Sequence, residues 1–544
     1  MISNFSLSEL TSLLAKQKIT VVNYQTSDKG IRHLEVAARI VNQKVRLILE
    51  SNPQNAELPC VFLYPPEIGY MVAHISECGN ICYNDNEGIG FDPNNQTRLV
   101  FDVINDCIKI LDNGLNNKAA NKFDDFFNEF EGYWNNTEKC LGVNLHCPPS
   151  ELNHLCAQAI GTGKNLRILG IGNIKAPRAS NSYLIPVIFR KIDHLPPPHK
   201  KVLPIEKWLN DIYESPVEKK LNIEKTGRRI ILFQTSRPKG GFSLFGILLE
   251  NKQKKSSRKH VLLVTPLSIN RCWRDFLLER GATTNIALKT VLVGCGALGS
   301  RIADMLVLSG IQNLTLIDND ILKYENVFRH VNGRNDSGLL KVKALKRELE
   351  IKRPGVCITA IVDKGLHWLN SLQSLTDYDL IILATGNMPM ERVFFQQAYQ
   401  RNQKARLCST WLEPLGLGGH VVQSISGTKG CLECLFTSIE GQALQSSRGA
   451  FLEPNQKITR NLTGCGGAFT PFTSIDVMKT VILTLDVILS EFYGYCAWIG
   501  RSSEVVSSDL TTTSLFKGLI AKGQTELKIP YNEIAQLGCQ CCDS

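Results

Sequence analysis

The sequence predicts a multidomain α/β protein whose C-terminal half is a doubly wound, Rossmann-like domain. The chain has 544 residues, which is enough for several hydrophobic cores. Its composition, 43% hydrophobic and 21% charged, is ordinary for a globular protein. Beyond residue 263, apolar strand patterns alternate with helical patterns, as they do in a parallel sheet covered by helices on both faces. We therefore predict three domains, residues 1–145, 146–262 and 263–544.

The first domain is predicted to be a compact α+β unit. Ser6 to Glu9 form a helix-start signal before an amphipathic helix that runs to about Gln17. A meander, a Pro-rich turn and a long irregular loop follow, and a helix over roughly Thr97–Leu111 closes the unit. The predicted strands are Ile19–Tyr24, His33–Val41 and Lys44–Leu49.

The middle domain, residues 146–262, shows strand patterns and no catalytic constellation, so we predict a connecting domain. Its strand candidates are Leu166–Ile171, Tyr183–Phe189, Ile230–Gln234, Phe242–Leu249 and Val261–Val264. Arg190–Lys259 holds 17 Lys and Arg against 7 Asp and Glu, and that surplus of ten equals the net charge of +10. Such a block could contact nucleic acid or an acidic partner. Since no aromatic ladder or helix-turn-helix pattern accompanies it, we favour a solvated surface and do not expect a nucleic-acid partner.

The N-terminus, MISNFSLSEL, has neither the basic nor the apolar region of a secretion signal. Apolar runs such as VILTLDVIL are too short to span a bilayer, so we expect a cytoplasmic protein without membrane contact. In a reducing compartment, the 18 cysteines are metal ligands, reactive thiols or small core residues rather than disulfides.

The third domain begins with a nucleotide-binding pattern. An apolar strand leads into Gly294, Gly296 and Gly299, and these open a helix whose N-terminus can receive a phosphate. Asp318, nineteen residues after Gly299, ends the next strand, where a carboxylate would hold ribose hydroxyls. The predicted strands of this domain are Val291–Val293, Leu314–Ile317, Cys357–Ile361 and Leu380–Ala384.

This loop alone suits an NAD dehydrogenase as well as an ATP enzyme. The residues that follow favour ATP: Asp320, Asn326, Arg329 and Lys341 would place one carboxylate, one amide and two cations around a triphosphate. Cations there can neutralise charge that develops on a leaving pyrophosphate, as an adenylation requires.

The set resembles the activating enzymes of ubiquitin-like and sulfur-carrier proteins over roughly residues 271–544. The resemblance implies that Asp318 holds the ribose, that Asn326 and Arg329 contact phosphates, and that Lys341 binds the triphosphate. It further implies that Arg274 serves as an arginine finger across a homodimer.

One position departs from that family. Gly386 stands where its members carry an aspartate for Mg²⁺. Asp320 and Asp379 are the alternatives for that ion.

The resemblance also implies a structural zinc site. Cys431 and Cys434 match its first half, and the C-terminal cysteines supply the second. Four thiolates in two close pairs make a closed tetrahedral site. We expect Cys539 and Cys542 to complete it, with Cys541 as the competing ligand; the alternative is a set of reduced surface thiols.

Cys465 lies between glycines, ahead of an apolar helix pattern over Thr473–Leu489. In the family, a mobile crossover segment at this place carries the cysteine that takes the activated carboxyl as a thioester. Flanking glycines would let the loop move, and thiolate chemistry suits reversible acyl transfer. The alternative is a buried structural cysteine.

The first domain carries a second motif. Tyr64 precedes two prolines, and His74, Cys78, Asn80 and Cys82 follow. This arrangement resembles bacterial ubiquitin-conjugating domains around the catalytic cysteine, since the eukaryotic His-Pro-Asn is absent. The resemblance implies Cys82 as the nucleophile, with Cys78 as its competitor. Asn80 is a candidate to stabilise the oxyanion.

Together the two halves resemble bacterial fusions of activating and conjugating enzymes, of the kind encoded with cGAS-like nucleotidyltransferases in anti-phage CBASS operons. The resemblance implies that ATP adenylates a partner's C-terminus, and that the acyl group passes through Cys465 and Cys82 to a target lysine. The partner would be the nucleotidyltransferase or a ubiquitin-like protein, and the cofactors ATP, Mg²⁺ and structural Zn²⁺. The alternative is a sulfur-carrier activator whose first domain only binds a partner.

Overall fold

The structure, a computed structural model, divides into two compact units, residues 1–272 and 273–544. It describes residues 5–52, 58–84, 91–92, 94–137, 139–148, 155–161, 165–172, 181–193, 195–196, 203–213, 227–253, 260–401, 403–462, 468–500 and 510–543.

The first unit opens with a four-stranded antiparallel sheet in the order β1-β2-β3-β4, covered by two helices. These elements are α1 (Leu7–Ala15), β1 (Thr20–Thr26), β2 (Arg32–Ile40), β3 (Gln43–Ser51), β4 (Cys60–Tyr64) and α2 (Gln96–Ala119). Val45, Leu47 and Leu49 are buried at every second position of β3, while Ile104 and Leu111 are buried two helical turns apart on α2. Strand and helix periodicity thus meet in one core, and the predicted α+β unit is confirmed.

The rest of the first unit contains a closed barrel in the strand order β10-β11-β5-β7-β6-β8-β9. Its strands are β5 (Leu141–Leu145), β6 (Cys156–Ile160), β7 (Arg167–Gly172), β8 (Ser182–Lys191), β9 (Arg228–Ser236), β10 (Phe242–Gln253) and β11 (His260–Arg271). Three further helices accompany them, α3 (Asp124–Asn128), α4 (Phe130–Asn135) and α5 (Leu203–Tyr213). Because β5 and β11 close the barrel, it spans residues on both sides of the expected boundaries at 145 and 262; the three-domain division stays a prediction.

Helix α4 packs on the barrel. Phe130 and Trp134 place their rings 5.0 and 4.7 Å from that of Phe245 on β10, and the Trp134 indole N–H donates to the carbonyl of Leu267 on β11 over 2.9 Å. Between the two aromatic residues, the Glu131 carboxylate accepts hydrogen bonds from arginines of the barrel. Helix α4 is therefore held on the barrel by aromatic packing and by the ion pairs of Glu131.

The second unit is built on an eight-stranded sheet in the order β14-β13-β12-β15-β16-β17-β20-β21. Its strands, together with the separate pair β18 and β19, are β12 (Ile286–Val293), β13 (Ile311–Ile317), β14 (Cys357–Ile361), β15 (Leu380–Leu383), β16 (Arg406–Leu412), β17 (Gly418–Ile425), β18 (Arg460–Asn461), β19 (Ala468–Phe469), β20 (Gly494–Ile499) and β21 (Glu526–Pro530). The helices are α6 (Arg274–Arg280), α7 (Ala297–Leu308), α8 (Lys341–Lys352), α9 (Gly365–Ser371), α10 (Met388–Gln400), α11 (Ser474–Leu489), α12 (Ser514–Ala521) and α13 (Tyr531–Ile534).

The first five strands of the sheet, β14, β13, β12, β15 and β16, are parallel to one another. The other three, β17, β20 and β21, each pair antiparallel with their neighbours. The chain runs from β12 outward to β14 on one side and then returns to β15 on the other. The carboxyl ends of β12 and β15 therefore form a topological switch point, where open α/β sheets bind ligands. The predicted doubly wound domain and its four strands are confirmed. Among the described residues, no helix combines the length and apolar character needed to cross a membrane.

Candidate functional site

The glycine loop lies at this switch point. Gly294 has φ of +93°, and a Cβ added there would lie 2.6 Å from the carbonyl oxygen of Ala384, at the end of β15. A Cβ on Gly299 would lie 1.8 Å from the carbonyl oxygen of Gly294, whereas one on Gly296 would have open space. Glycine is therefore required at the first and third positions by the fold of the loop itself.

Asp318 follows β13 and braces this loop. One carboxylate oxygen accepts the backbone N–H of Cys295 over 2.7 Å, and the other accepts the N–H of Asp320 over 2.7 Å. A carboxylate can accept about four hydrogen bonds, so ribose hydroxyls can still donate to it. Asp318 thus links the glycine loop to the turn that carries Asp320.

Lys341 is brought to the same end of the sheet. It is the first residue of α8, and its ammonium lies 2.9 Å from the Asp320 carboxylate. The Lys341 side chain is 13% exposed and that of Asp320 is 63% exposed. A lysine at a helix N-terminus beside an exposed carboxylate suits an anion and a divalent cation bound together.

Asn326 and Arg329 lie on an arm between β13 and α8. The side-chain oxygen of Asn326 accepts the N–H of Lys323 over 3.2 Å, and the Arg329 guanidinium lies 5.9 and 5.2 Å from the ring centres of Phe469 and Phe472. These contacts hold both side chains within their own unit.

His330, which the sequence analysis missed, joins this arm to the glycine loop. Its Nε2–H donates to the carbonyl of Cys295 over 2.9 Å, and its Nδ1 accepts the N–H of Asn332 over 3.0 Å. Burial, assisted by the charges of Lys341 and Arg301, lowers the pKa of His330, so the ring is neutral with its proton on Nε2. Its place directly after Arg329 was the available signal.

Two other residues considered for this site lie elsewhere or serve other contacts. The Arg274 guanidinium is buried and donates to the carbonyl of Gly310 over 2.6 Å, so it points into its own unit. Asp379 precedes β15, at the edge of the sheet opposite the glycine loop, and accepts the N–H of Lys289 over 2.8 Å. Of the two alternatives for Mg²⁺, only Asp320 therefore lies beside Lys341 at the glycine-loop end of the sheet, and the magnesium assignment stays a prediction.

Gly386 has φ of +67°, in a loop organised by a buried carboxylate that the sequence analysis also missed. Glu391 accepts the N–H of Thr385 over 3.0 Å and its hydroxyl over 2.6 Å, together with the hydroxyl of Ser409. Burial raises the pKa of Glu391. The segment that carries an aspartate in the resembling family is thus shaped here by a glutamate beneath it.

Four cysteines converge in the second unit. The sulfur atoms of Cys431, Cys434, Cys539 and Cys542 lie within 4.8 Å of one another, and three of their separations are 3.4, 3.7 and 4.0 Å. Tetrahedral zinc with bonds of about 2.3 Å to sulfur would place its ligands about 3.8 Å apart. The cluster therefore fits a metal ion of zinc's size and preference for sulfur. Cys541 is buried but is not a member of the group.

Cys465 lies outside the described residues, together with the rest of the segment 463–467. On either side of it, Arg460 pairs with Phe469 and Asn461 with Ala468 as the antiparallel strands β18 and β19. Helix α11 then begins under a capping box between Thr473 and Asp476.

Cys82 lies in a short antiparallel excursion between β4 and α2. Ser76 N–H bonds to the carbonyl of Asn80, Ile75 is bridged to Ile81, and the N–H of Cys82 bonds to the carbonyl of His74 over 2.8 Å. This register buries both isoleucines on one face and places Asn80 and Cys82 on the exposed opposite face; His74, which has a φ of +64°, is also exposed. Cys78 lies at the turn, with its sulfur 3.1 Å from the Ser76 hydroxyl.

A cavity of about 590 Å³ opens over that face. Its lining includes His74, Asn80 and Cys82 from the excursion, and Glu129 and Tyr133 from the turn and helix that pack on the barrel. The cavity thus places the predicted nucleophile, the predicted oxyanion group and a carboxylate from a different element around one space.

In comparisons with known proteins, each of the two compact units matches a different family model. The ThiF family matches residues 273–493, and Prokaryotic E2 family B matches residues 8–142. The ThiF match therefore begins at the first residue of the second compact unit.

Three relatives illustrate the similarity. The ATP-dependent ubiquitin transferase-like protein Cap2 of Pseudomonas aeruginosa is 29% identical over 220 residues, 39% of this chain and 38% of that protein. Cap2 of Escherichia coli is 21% identical over 542 residues, 87% of this chain and 90% of that protein. The adenylyltransferase and sulfurtransferase MOCS3 of Xenopus laevis is 32% identical over 100 residues, 18% of this chain and 22% of that protein.

The match thus spans less than half of the first relative and nearly all of the second. The chain thus joins a segment that matches Prokaryotic E2 family B to a segment that matches the ThiF family, and it is similar to the Cap2 proteins.

Proposed function

We propose that this chain adenylates the C-terminal carboxylate of a partner protein, captures it as a thioester at Cys465, passes it to Cys82 and delivers it to a lysine amine. The observation that carries the proposal is the presence, in one chain, of a ThiF-type nucleotide loop and an E2-like excursion that exposes a cysteine beside a cavity. An activating unit alone would leave the second cysteine without a task.

In the adenylation step, a carboxylate oxygen of the partner attacks the α-phosphorus of ATP, and pyrophosphate leaves with the bonding electrons. The glycine loop and the N-terminus of α7 would receive phosphate oxygens. Lys341 would bind the triphosphate, with Asn326 and Arg329 contacting phosphates from the arm beside the loop. Asp318 would take the ribose, and the exposed carboxylate of Asp320 is suited to hold Mg²⁺.

In the next step, the thiolate of Cys465 would displace AMP from the acyl adenylate and form a thioester. Support comes from its neighbourhood, because β18 and β19 bring both ends of its segment together just before α11. The thioester would then exchange onto Cys82, with one C–S bond formed and one broken. Asn80, on the same face of the excursion, would donate to the oxyanion that develops.

The remaining assignments extend this proposal. The partner would be a cGAS-like nucleotidyltransferase or a ubiquitin-like protein, as in CBASS defence, and the setting would be cytoplasmic. The four-cysteine cluster would hold structural Zn²⁺. A homodimer is proposed as well; Arg274 would have to leave its buried contact with Gly310 to serve a second copy as an arginine finger.

The test combines pyrophosphate exchange with thioester trapping. With the proteins encoded beside this chain supplied one at a time, we expect one of them to support ATP–pyrophosphate exchange. Under non-reducing conditions, Cys465→Ala should abolish every adduct, whereas Cys82→Ala should retain the first thioester and lose the amide product. No exchange with any candidate would contradict adenylation, and adducts that survive both substitutions would contradict the cysteine assignments.

The similarity to MOCS3 favours one alternative, a sulfur-carrier activator that converts the adenylate into a thiocarboxylate. Under this alternative, Cys82→Ala leaves turnover intact and the product carries sulfur at its C-terminus. Mass spectrometry of the released partner distinguishes a thiocarboxylate from an amide. The E2-like match over residues 8–142 is the observation that favours the amide.

A further inference from the structure

The face of the excursion that carries Cys82 also carries a histidine held by a carboxylate. The Nδ1 of His74 lies 2.8 Å from one oxygen of Glu129, and the backbone N–H of His74 donates to the other over 3.0 Å. Tyr133 lies 3.4 Å from the same carboxylate and 3.2 Å from the carbonyl of Val72. The histidine is thereby gripped through both its ring and its backbone.

The register places this pair beside the nucleophile. Because Ile75 faces Ile81, and the N–H of Cys82 bonds to the carbonyl of His74, His74 and Cys82 are directly opposed. His74 has a φ of +64°, so it is the common cavity, rather than strand alternation, that shows that the two side chains share one space. Both residues line the cavity of about 590 Å³, which can admit a long side chain.

Two glutamates that line the cavity, Glu129 and Glu131, differ in their charged partners. Glu131 accepts hydrogen bonds from Arg237 over 2.8 Å and from Arg271 over 2.8 and 2.6 Å, so its charge is compensated by the barrel. Glu129 is paired with His74 instead. Burial alone would raise the pKa of Glu129, but the hydrogen bonds from His74 outweigh burial and the pKa is lowered. Glu129 is thus an anion that orients the imidazole.

From this arrangement we propose that the cavity is the binding site for the incoming primary ammonium, that His74 is the catalytic base that deprotonates it, and that Glu129 is the positioning residue that fixes the base. The inference rests on the proposed conjugation function, which it deepens by assigning the acceptor site. With Nδ1 donating to Glu129, the neutral ring uses Nε2 as its proton acceptor.

The step balances as follows. The ammonium gives one proton to His74, and the freed nitrogen lone pair forms a bond to the thioester carbonyl carbon. The C–S bond breaks, its electron pair leaves with the sulfur of Cys82, and the surplus proton on the new amide nitrogen passes to that sulfur. The products are an amide, a free thiol and a protonated His74, which returns its proton to water.

The experiment measures single-turnover discharge of the full-length chain loaded at Cys82 from a synthetic peptide thioester, with Cys82→Ser as the background. Two acceptors are compared: lysine, which must lose a proton, and hydroxylamine, which is already unprotonated at neutral pH. The variants are His74→Asn and Glu129→Gln. The matched control is His33→Asn, because His33 also pairs with a glutamate. Its Nδ1 lies 3.4 Å from the carboxylate of Glu50, in an exposed pair on the four-stranded sheet of the first unit.

We expect His74→Asn to slow discharge to lysine about 100-fold and Glu129→Gln about tenfold, with both acting on hydroxylamine by less than about threefold. The control should discharge at the native rate. Equal slowing with both acceptors, or native discharge to lysine in His74→Asn, overturns the assignment.

If His74→Asn does not fold or load, the lysine-to-hydroxylamine ratio of Glu129→Gln decides, and an unchanged ratio overturns the assignment. Failure of the native chain to form any thioester at Cys82 would instead refute the proposed function itself.

Discussion

Replacing Gly299 by alanine should damage the nucleotide loop in a way that can be calculated from the backbone. The added Cβ would lie 1.8 Å from the carbonyl oxygen of Gly294, an atom that cannot rotate away. Restoring an ordinary contact of about 3.4 Å requires α7 to move by about 1.6 Å relative to the loop, and overpacking of this kind costs about 1–3 kcal/mol. A displacement of about 1 Å in a site that positions reacting groups can cost about 100-fold in rate.

We therefore expect Gly299→Ala to lower the unfolding temperature of the second unit by about 2–4 °C for each kcal/mol lost, and to slow ATP–pyrophosphate exchange about 100-fold. Calorimetry and radiolabelled pyrophosphate exchange measure the two effects. Gly296→Ala is the control for stability and Gly333→Ala the control for activity, because an added Cβ meets nothing within 4 Å at either position. A Gly299→Ala chain with native unfolding temperature and native exchange would refute this reasoning.

Two further predictions concern the second unit. Cys434→Ser should lose bound zinc, whereas Cys541→Ser should keep it, because the sulfur of Cys434 belongs to the cluster and that of Cys541 does not; elemental analysis of the purified chains decides, and equal zinc content would contradict the ligand set. Burial raises the pKa of Glu391, so ionising this carboxyl in the folded state is costly. Its contribution to stability is complete below the unfolded pKa and is lost as pH rises through the folded value. Glu391→Gln should therefore gain stability relative to the native chain as pH rises, and a pH-independent difference in denaturant midpoint would contradict this.

Local pattern was sufficient to predict the glycine loop and the strands around it, whereas the segment around Cys82 was expected as a long irregular loop and was matched to E2 domains only by resemblance. Glycine spacing and apolar runs are properties of neighbouring residues, and the same residues form β12, β13 and the loop at Gly294. The position of Asp318 followed from its distance along the chain. These predictions succeeded because the structure needed at each point depends on residues close in sequence.

What escaped prediction depends on contacts between distant residues. Closure of the barrel requires β5 to pair with β11, about 126 positions later, as in Leu141 opposite Leu267. Glu129 reaches His74 across 55 positions, and neither residue shows the pairing in its own neighbourhood. Glu391 and His330 are polar residues within helical or loop patterns, and only the fold shows which loop each supports.

Helix α4 has a consequence for how portable the conjugating half is. One side of this short helix packs against the barrel through Phe130 and Trp134, while Tyr133 lines the cavity over Cys82. A fragment that ends at residue 145 would lack the barrel strands against which those aromatic rings pack. The helix that forms one wall of the cavity would then lose the contacts that hold it in place. The smallest transplantable catalytic piece of this half should therefore extend through β11, to Arg271.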